Sequence, residues 1–393
     1  MKRNRLLMLM AIILALMFAS FFGNVMSYAI LYATLVLPFI SFLYMLYVYQ
    51  RFKVYQVIKA SIMIKGEEVP YQYMVSNEDF IYYKSINIKF LPGYSKVEVE
   101  NFQGEVALLP GEKHQRQGRL TCLYRGEYKI GIDAIIIKDL FNLFSLKVPK
   151  PSTISARVYP RIIPLHSLRA LHFPVDHKNT PLGLKEKASQ PDIDLRPFLK
   201  GDDKKTVHWK ATAKYQELLV RPYMELPQER TCLFLDISKI EKAQGDSVIL
   251  EDSLLEITLA ILNYYGNKRI AAELIFYRDK PYHFPVKSLA DFNILYESIA
   301  LLPFDSDVAL GRVMKDYIKS IGNATTIIAL TAQFQDSLAQ ALSEVAHVNV
   351  ALVLAGDREG EDLQNIKMGL GKTKLISIPL DENIAAVLEK SWD

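Results

Sequence analysis

The 393-residue chain contains only two cysteines, so a framework of several disulfide bonds is excluded. Cys122 and Cys232 lie in apolar, strand-like contexts, and we expect both to be buried as small hydrophobic side chains. The chain also lacks an HExxH zinc motif, a Walker phosphate loop and a nucleophile elbow, and its seven histidines have no metal-ligand spacing. The sequence therefore contains no recognisable catalytic constellation, and we expect that the protein is not an enzyme.

A strong excess of charge of either sign is also missing. The formal net charge is +4 at pH 7, which is small for this length and favours neither nucleic acid nor an acidic partner. The apolar fraction is high at 50%, and the excess is concentrated near the N-terminus. The length allows two or three domains with separate cores.

Charged residues are absent from two long apolar runs, residues 6–22 and 25–48, which the link Gly23-Asn24 separates. Each run is long enough to cross a bilayer, so the sequence predicts two transmembrane helices within residues 1–52. A cleaved signal peptide is the alternative for the first run, because basic residues precede it and small residues lie near its end. The second run follows too closely to favour that alternative.

Basic residues flank the hairpin on both sides and are absent from its link; they are Lys2, Arg3, Arg5, Arg51, Lys53 and Lys59. Because basic flanks stay in the cytoplasm, the sequence predicts a multi-pass protein of the inner (cytoplasmic) membrane. Its partner there is the lipid bilayer, and both termini are expected in the cytoplasm. Three tyrosines, Tyr44, Tyr47 and Tyr49, are expected near one membrane interface.

Two folded domains are predicted after the hairpin. Residues 53–150 alternate apolar and polar side chains with Pro-Gly and Arg-Gly turns, which predicts an antiparallel β-sandwich of six to eight strands. Residues 151–217 form a connecting segment. Residues 218–393 alternate short apolar runs with helical patterns, which predicts a C-terminal α/β domain of Rossmann type with a mainly parallel sheet.

The end of the connecting segment is dense in charge. A Gly-Asp-Asp turn is followed by a predicted helix over residues 205–215, with Asp203 as its N-cap. Its apolar face is predicted to carry Val207, Ala211 and Tyr215.

Four interpretations of this charged junction remain open. Anion or nucleotide binding at the helix N-terminus is weakened by Asp202 and Asp203, and the acidic residues among the lysines argue against nucleic acid. A structural clasp would pair the two aspartates with Arg196 or Arg221. A partner-docking surface would use the same region, with the candidates Arg196, Asp202, Asp203, His208, Trp209 and Lys210.

Several short motifs follow one another along the chain: RGEYKIG (125–131), DLFNLF (139–144), VYPR (158–161), LRPF (195–198), GDD (201–203), HWKATAK (208–214), LLVR (218–221) and LFLD (233–236). Together they resemble the bacterial family called domain of unknown function 58. The family usually has Asp-Pro-Phe-Gly where this chain has Asp-Leu-Phe-Asn. Asn142 tolerates the left-handed conformation of a glycine, so the turn is expected to persist.

The resemblance implies a von Willebrand factor A-like C-terminal domain, whose magnesium site uses D-x-S-x-S, a distant threonine and a later aspartate. Asp236 and Ser238 match the first two positions. Ile240 and Ala332 replace expected ligand positions, so the metal motif is degenerate and no cofactor is expected. Ser306 is a candidate for the distant threonine, and Asp236 is expected to hold its turn through backbone hydrogen bonds.

Members of the family are commonly encoded beside MoxR-type AAA+ ATPases and often beside transglutaminase-like membrane proteins. The resemblance therefore implies a membrane-anchored, cytosol-facing adaptor that docks such an ATPase during assembly or maturation of a membrane or envelope complex. The alternative is a ligand-binding or metal-binding sensor, or an enzyme, that uses the cleft at Asp236. In that case Asp203 or His208 would serve as acid or base.

Overall fold

The computed structural model describes residues 2–100, 102, 104–149, 153–171, 173, 195–199, 207–220, 230–240, 244–318, 326–345, 348–358, 360–380 and 382–390. The chain forms two compact units. The first comprises Met1–Arg161 and Ser298–Leu302, and the second comprises Ile162–Glu297 and Pro303–Asp393. Asp202, Asp203 and Arg221 lie outside the described residues.

Two N-terminal helices, α1 (Lys2–Phe22) and α2 (Val25–Arg51), are long and apolar enough to cross a membrane. In the most apolar 18-residue stretch of each helix, only 11% of α1 and 17% of α2 is buried inside the protein. The core helix of a soluble domain would be mostly buried. Gly23 takes a left-handed φ of 55° in the link. Asn24 then caps α2, because its Oδ1 accepts a 2.8 Å hydrogen bond from the Ser27 amide.

The remainder of the first unit is a β-sandwich. Its strands are β1 (Lys53–Ile58), β2 (Ile62–Ile64), β3 (Glu68–Ser76), β4 (Tyr83–Phe90), β5 (Ser95–Val99), β6 (Glu105–Leu108), β7 (Lys113–Cys122), β8 (Gly126–Lys138), β9 (Ser145–Pro149) and β10 (Thr153–Tyr159). One sheet has the order β1-β3-β7-β5, and the other has the order β2-β10-β8-β4-β6 with β9 beside β8. Every pairing among these strands is antiparallel except that of β2 with β10.

The two sheets share one hydrophobic core, to which Tyr71, Tyr73, Ile86, Ile130 and Val158 contribute from both sides. Burial alternates along the strands, as period two requires. The described part of the sandwich contains ten strands, more than the six to eight predicted. The predicted end of the sandwich at residue 150 is also wrong, because β10 lies in the predicted connecting segment and pairs with β8 and β2.

The second unit is an α/β domain. In chain order its elements are β11 (Arg196–Pro197), α3 (Trp209–Tyr215), β12 (Leu219–Val220), β13 (Thr231–Leu235), α4 (Gln244–Lys268), β14 (Ala272–Tyr277), β15 (Pro281–Val286), α5 (Leu289–Ile299), α6 (Leu310–Ile318), β16 (Thr326–Thr331), α7 (Asp336–Glu344), β17 (Asn349–Ala355), α8 (Gly360–Gly369), β18 (Lys374–Ile378) and α9 (Ile384–Glu389). The main sheet has the order β15-β14-β13-β16-β17-β18. All its pairings are parallel except β14 with β15, so the expectation of a mainly parallel sheet is confirmed.

The edge strand β15 was not predicted. It contains Pro281 and Pro285, which cannot donate to a ladder and therefore disfavour a strand in a sequence pattern. At the edge of the sheet, however, only one side of the strand pairs. Here β15 forms an antiparallel hairpin with β14, and its prolines are tolerated.

The helix of the charged junction begins later than predicted. It starts at Trp209, and His208 rather than Asp203 is its N-cap. Val207 does not enter the helix, because it forms an antiparallel β-bridge with Val220. The predicted apolar face is also wrong at Tyr215, whose side chain is 60% exposed, although Val207 and Ala211 are buried.

Candidate functional site

The carboxyl ends of β13 and β16 define the candidate cleft. From β13 the chain crosses to β14 on one side, whereas β16 lies on the other side of β13 and continues to β17. Adjacent parallel strands whose connections leave in opposite directions form a crevice where α/β sheets place ligands. Asp236 follows β13, and Thr331 ends β16 at the same edge.

Protein donors engage both carboxylate oxygens of Asp236. Its Oδ1 accepts hydrogen bonds from the Ser238 amide at 3.0 Å and from the Ser238 hydroxyl at 2.6 Å. Its Oδ2 lies 2.6 Å from the donating hydroxyl of Thr331. Asp236 thus holds its own turn, as expected, and also fastens the ends of two strands together. The second role was not predicted.

Ser306 lies beside this turn. Its backbone forms a parallel bridge with Ser238, in which the Ser306 amide donates to Ile237 O at 3.1 Å and the Lys239 amide donates to Ser306 O at 3.3 Å. The Ser306 hydroxyl accepts a hydrogen bond from the Val308 amide at 3.2 Å. The structure therefore brings the candidate for the distant threonine next to the first two motif positions.

Apolar side chains occupy the remaining motif positions. Ile240 and Ala332 are 7% and 6% exposed, and they share a small cluster with Leu250, against which Leu380 packs. Magnesium requires several oxygen ligands in octahedral geometry, and these side chains supply none. Among the described residues no group of three His, Cys, Asp or Glu side chains could hold a metal ion. The residues present do not fit a magnesium site of the usual donor set.

Two further contacts close the edge of the cleft. The Gln333 side-chain amide donates to Lys239 O at 2.9 Å, and Arg358 Nη2 donates to Ala332 O at 2.9 Å. Burial lowers the pKa of the half-buried Arg358 guanidinium. This positively charged group lies at the end of β16. Chemically, these contacts join three loops at the edge of the cleft.

The described residues of the charged junction form a small subdomain. Arg196 pairs with Val220 in the short β11–β12 ladder. His208 Nδ1 accepts a 3.2 Å hydrogen bond from the Ala211 amide, which commits that ring nitrogen to capping α3. Trp209 and Lys210 follow on the exposed side of the helix.

Large apolar side chains of this subdomain are open to solvent. The exposed fractions are 68% for Trp209, 63% for Leu199, 60% for Tyr215 and 51% for Leu218. The Lys214 ammonium lies 5.3 Å from the centroid of the Tyr215 ring, which is a cation–π contact. We call the four apolar residues Trp209, Leu199, Tyr215 and Leu218 the junction patch.

A polar cluster that sequence reasoning missed lies at the opposite, amino-terminal edge of the sheet. Glu273 accepts hydrogen bonds from Arg230 Nη2 at 2.5 Å and pairs with His283 Nδ1 at 3.0 Å, and His283 Nε2 contacts the Tyr317 hydroxyl. Burial raises the pKa of the neighbouring Cys232 thiol to about 11, and the charge of Glu273 adds to that shift. These residues come from separate elements, so their spacing gives no signal.

Comparisons with known proteins give no assignment. No protein-family profile matches the chain. No curated protein matches it either.

Among solved structures, the chain is similar to an aerotolerance-related membrane protein from Bacteroides fragilis, with 15% identity over 41% of this chain and 94% of that chain, and a TM-score of 0.29. It is similar to the conserved hypothetical protein BatB from Bacteroides thetaiotaomicron, with 13% identity over 38% and 90% of the two chains, and a TM-score of 0.26. The cupredoxin domain of amoB from Nitrosocaldus yellowstonii gives 9% identity over 28% and 87%, with a TM-score of 0.21. At TM-scores this low, these similarities carry no argument about fold or function.

Proposed function

We propose that this protein is a membrane-anchored, cytosol-facing adaptor whose junction patch docks a protein partner. By the family resemblance, we propose a MoxR-type AAA+ ATPase as the partner and a transglutaminase-like membrane protein as a further component. The proposed process is assembly or maturation of a membrane or envelope complex. The proposed C-terminal domain is von Willebrand factor A-like with a degenerate metal motif.

The observation that carries the proposal is the exposure of Trp209. Its side chain is 68% exposed on α3, and Lys210 and Lys214 lie on the same short helix. A tryptophan buries roughly 150–250 Å² when fully covered, so covering the exposed part would contribute about 3 kcal/mol. Tryptophan is also enriched among the residues that dominate binding energy in protein interfaces.

The cleft at Asp236 supports the adaptor function less directly. Its carboxylate is occupied by hydroxyl and amide donors, and Ile240 and Ala332 place apolar atoms beside it. This arrangement suits a rigid scaffold. A ligand or metal sensor is the second candidate function. The cleft lies between two adjacent parallel strands whose connections leave in opposite directions, which is where α/β sheets bind ligands.

The proposed topology has both termini in the cytoplasm. It is supported by the basic flanks of the hairpin and by contacts at one end of it. Arg5 of α1 donates to Leu143 O at 2.6 Å, and Ser41 of α2 donates to Asp139, so the first turn of α1 and the carboxyl-terminal half of α2 meet the same turn of the β-sandwich. A reporter fused at Asp393 that is active only outside the cell would contradict this topology.

The test is in-cell cross-linking followed by affinity purification of the tagged, detergent-solubilised protein. We compare wild type with a Trp209→Ala, Lys210→Ala double variant, and with Ile294→Ala as the matched control, because Ile294 is 67% exposed on α5. An AAA+ ATPase should be recovered with wild type and Ile294→Ala and lost with the double variant. An Asp202→Ala, Asp203→Ala variant tests the two aspartate candidates. If no ATPase appears with wild type, the proposal fails.

A further inference from the structure

In the first unit, two aspartates of the β-sandwich bind the second apolar helix. Asp139 is fully buried and accepts a hydrogen bond from the Ser41 hydroxyl of α2. Asp79 accepts from Arg51 Nη2 at 2.8 Å and from the Tyr47 hydroxyl at 3.4 Å. Each carboxylate thus joins a loop of the sandwich to the carboxyl-terminal half of α2.

Further contacts of the hairpin reach the same two loops, residues 79–84 and 139–144, which we call the collar. The Tyr44 hydroxyl donates to Tyr82 O at 2.6 Å and accepts from the Lys84 amide at 3.2 Å. From α1, the Asn4 side-chain amide donates to Phe141 O at 2.8 Å. The tyrosine expected at a lipid interface is therefore bound to the sandwich.

The lengths of the helices locate the collar relative to a bilayer. In α1 the apolar segment from Leu6 to Phe22 spans roughly 26 Å at 1.5 Å per residue, and in α2 the segment from Val25 to Leu43 spans roughly 28 Å. The hydrocarbon core of a bilayer is about 30 Å thick. Its near boundary therefore falls beside Tyr44, within the stretch of α2 from Ser41 to Arg51 that contacts the collar.

The collar exposes three aromatic side chains, one of which belongs to Tyr82, the residue whose carbonyl binds Tyr44. Phe80 is 81% exposed, Phe141 is 47% exposed and Tyr82 is 40% exposed. Asn142, in the same turn, has a φ of 56°, so the expected left-handed conformation is confirmed. Aromatic side chains at the level of lipid headgroups are a general feature of membrane proteins. The same exposure in water would leave apolar area uncovered.

We propose that the collar is a lipid-binding surface, which inserts Phe80, Tyr82 and Phe141 into the headgroup and upper acyl region of the bilayer that the hairpin crosses. The β-sandwich then lies directly on the membrane and is not tethered by a free linker. The contacts of Asp79 and Asp139 with α2 fix its orientation relative to the hairpin. The inference does not depend on the identity of any protein partner.

The opposite end of the sandwich supplies a matched control. Strand β4 begins at Tyr83, within the collar, and ends at Phe90. Its eight residues span about 27 Å. Leu123 follows β7 at this far end and is 41% exposed, so it resembles the collar residues in exposure but not in position.

The test is fluorescence quenching by brominated lipid acyl chains. Full-length protein is reconstituted in vesicles of phosphatidylethanolamine and phosphatidylglycerol, in a background in which Trp209→Phe and Trp392→Phe remove the two native tryptophans. Single probes are introduced as Phe80→Trp, Phe141→Trp, Leu123→Trp and Phe39→Trp. Phe39 lies within the apolar part of α2 and is 64% exposed, so its probe reports insertion of the hairpin itself.

Quenching of the Phe80→Trp and Phe141→Trp probes should exceed that of Leu123→Trp at least threefold and be weaker than that of Phe39→Trp. If Phe39→Trp is quenched but the two collar probes are quenched no more than Leu123→Trp, the hairpin spans the bilayer and the collar proposal is overturned. If Phe39→Trp is not quenched, the membrane anchor fails as well. Two collar positions are used so that one variant that does not reconstitute leaves the comparison intact.

Discussion

Ser41 and Asp139 lie 98 residues apart in the sequence, and the Ser41 hydroxyl donates a hydrogen bond to the buried Asp139 carboxylate. The same carboxylate accepts from the Phe144 amide at 2.7 Å and from the Phe141 amide at 3.2 Å. The motif of residues 139–144, which contributes to the family resemblance, therefore also binds the second apolar helix. The Asp139 carboxylate therefore stabilises both the turn of residues 139–144 and the packing of α2 against it.

Asp139→Ala should lower the free energy of unfolding by about 2–4 kcal/mol, because it leaves buried amide and hydroxyl donors without their acceptor. Ser41→Ala should cost about 1 kcal/mol, since it removes one partner of several. Urea unfolding of the first unit in the detergent-solubilised protein, followed by near-ultraviolet circular dichroism, measures both. Glu127→Ala is the control, because its exposed pair with Arg157 at 3.5 Å should contribute less than about 1 kcal/mol. Equal effects of Asp139→Ala and Glu127→Ala would contradict the assigned role.

Asp79 predicts an acid sensitivity of the contact between the hairpin and the sandwich. The hydrogen bond from Arg51, followed by that from Tyr83, lowers the pKa of Asp79 below its ordinary value. A carboxyl with a depressed folded pKa stabilises the folded state above its unfolded pKa, near 3.9, and this contribution is lost as the pH falls through the folded pKa. The melting temperature should therefore fall as the pH drops below about 4. Asp79→Asn should flatten that part of the profile, and an unchanged profile would count against the Asp79 contact.

The Thr331 hydroxyl is predicted to hold β16 to the turn after β13. Thr331→Val preserves the shape of the side chain but removes the donor to Asp236 Oδ2, and it should destabilise the domain by about 1–3 kcal/mol. Ser238→Ala should cost less, because the Ser238 amide still donates to Asp236 at 3.0 Å. Chemical denaturation monitored by far-ultraviolet circular dichroism gives both values. If Ser238→Ala destabilised the domain more than Thr331→Val, the prediction would be contradicted, and the Ser238 hydroxyl would be the group that stabilises the turn.

Magnesium should not bind at the Asp236 cleft with micromolar strength, because Ile240 and Ala332 supply no oxygen ligands and donors already occupy the carboxylate. Isothermal titration of the solubilised protein with magnesium chloride measures this directly. Micromolar binding that disappears in Asp236→Asn would contradict the prediction and favour the sensor or enzyme alternative.

Much of the fold could be predicted from local sequence patterns. Long uncharged runs indicate the two apolar helices, short continuous apolar runs indicate the parallel strands, and the tolerance of Asn142 for a left-handed turn follows from its side chain. The edge strand β15 and the late start of α3 could not be predicted, because both depend on a pairing partner elsewhere in the chain. That partner is β14 in one case and Val220 in the other.

The candidate site divides in the same way. The position of Asp236 and Ser238 after a buried strand can be predicted from the sequence pattern, and the loss of ligands at Ile240 and Ala332 is what the family resemblance implies. The hydrogen bond from Thr331, 95 residues away, and the approach of Ser306 cannot. Such contacts require the crossover connections of the sheet, which set distant residues side by side without any periodic signal.

The most direct measurement of the adaptor function is site-specific photocross-linking in living cells, with a photoreactive phenylalanine analogue incorporated in place of Trp209 or, as the control, in place of Ile294. The account predicts a cross-link from position 209 to an AAA+ ATPase of the MoxR type and none from position 294. If both positions give the same products, or position 209 gives none while the protein is folded and membrane-bound, the junction patch is not a docking surface and the adaptor function is contradicted.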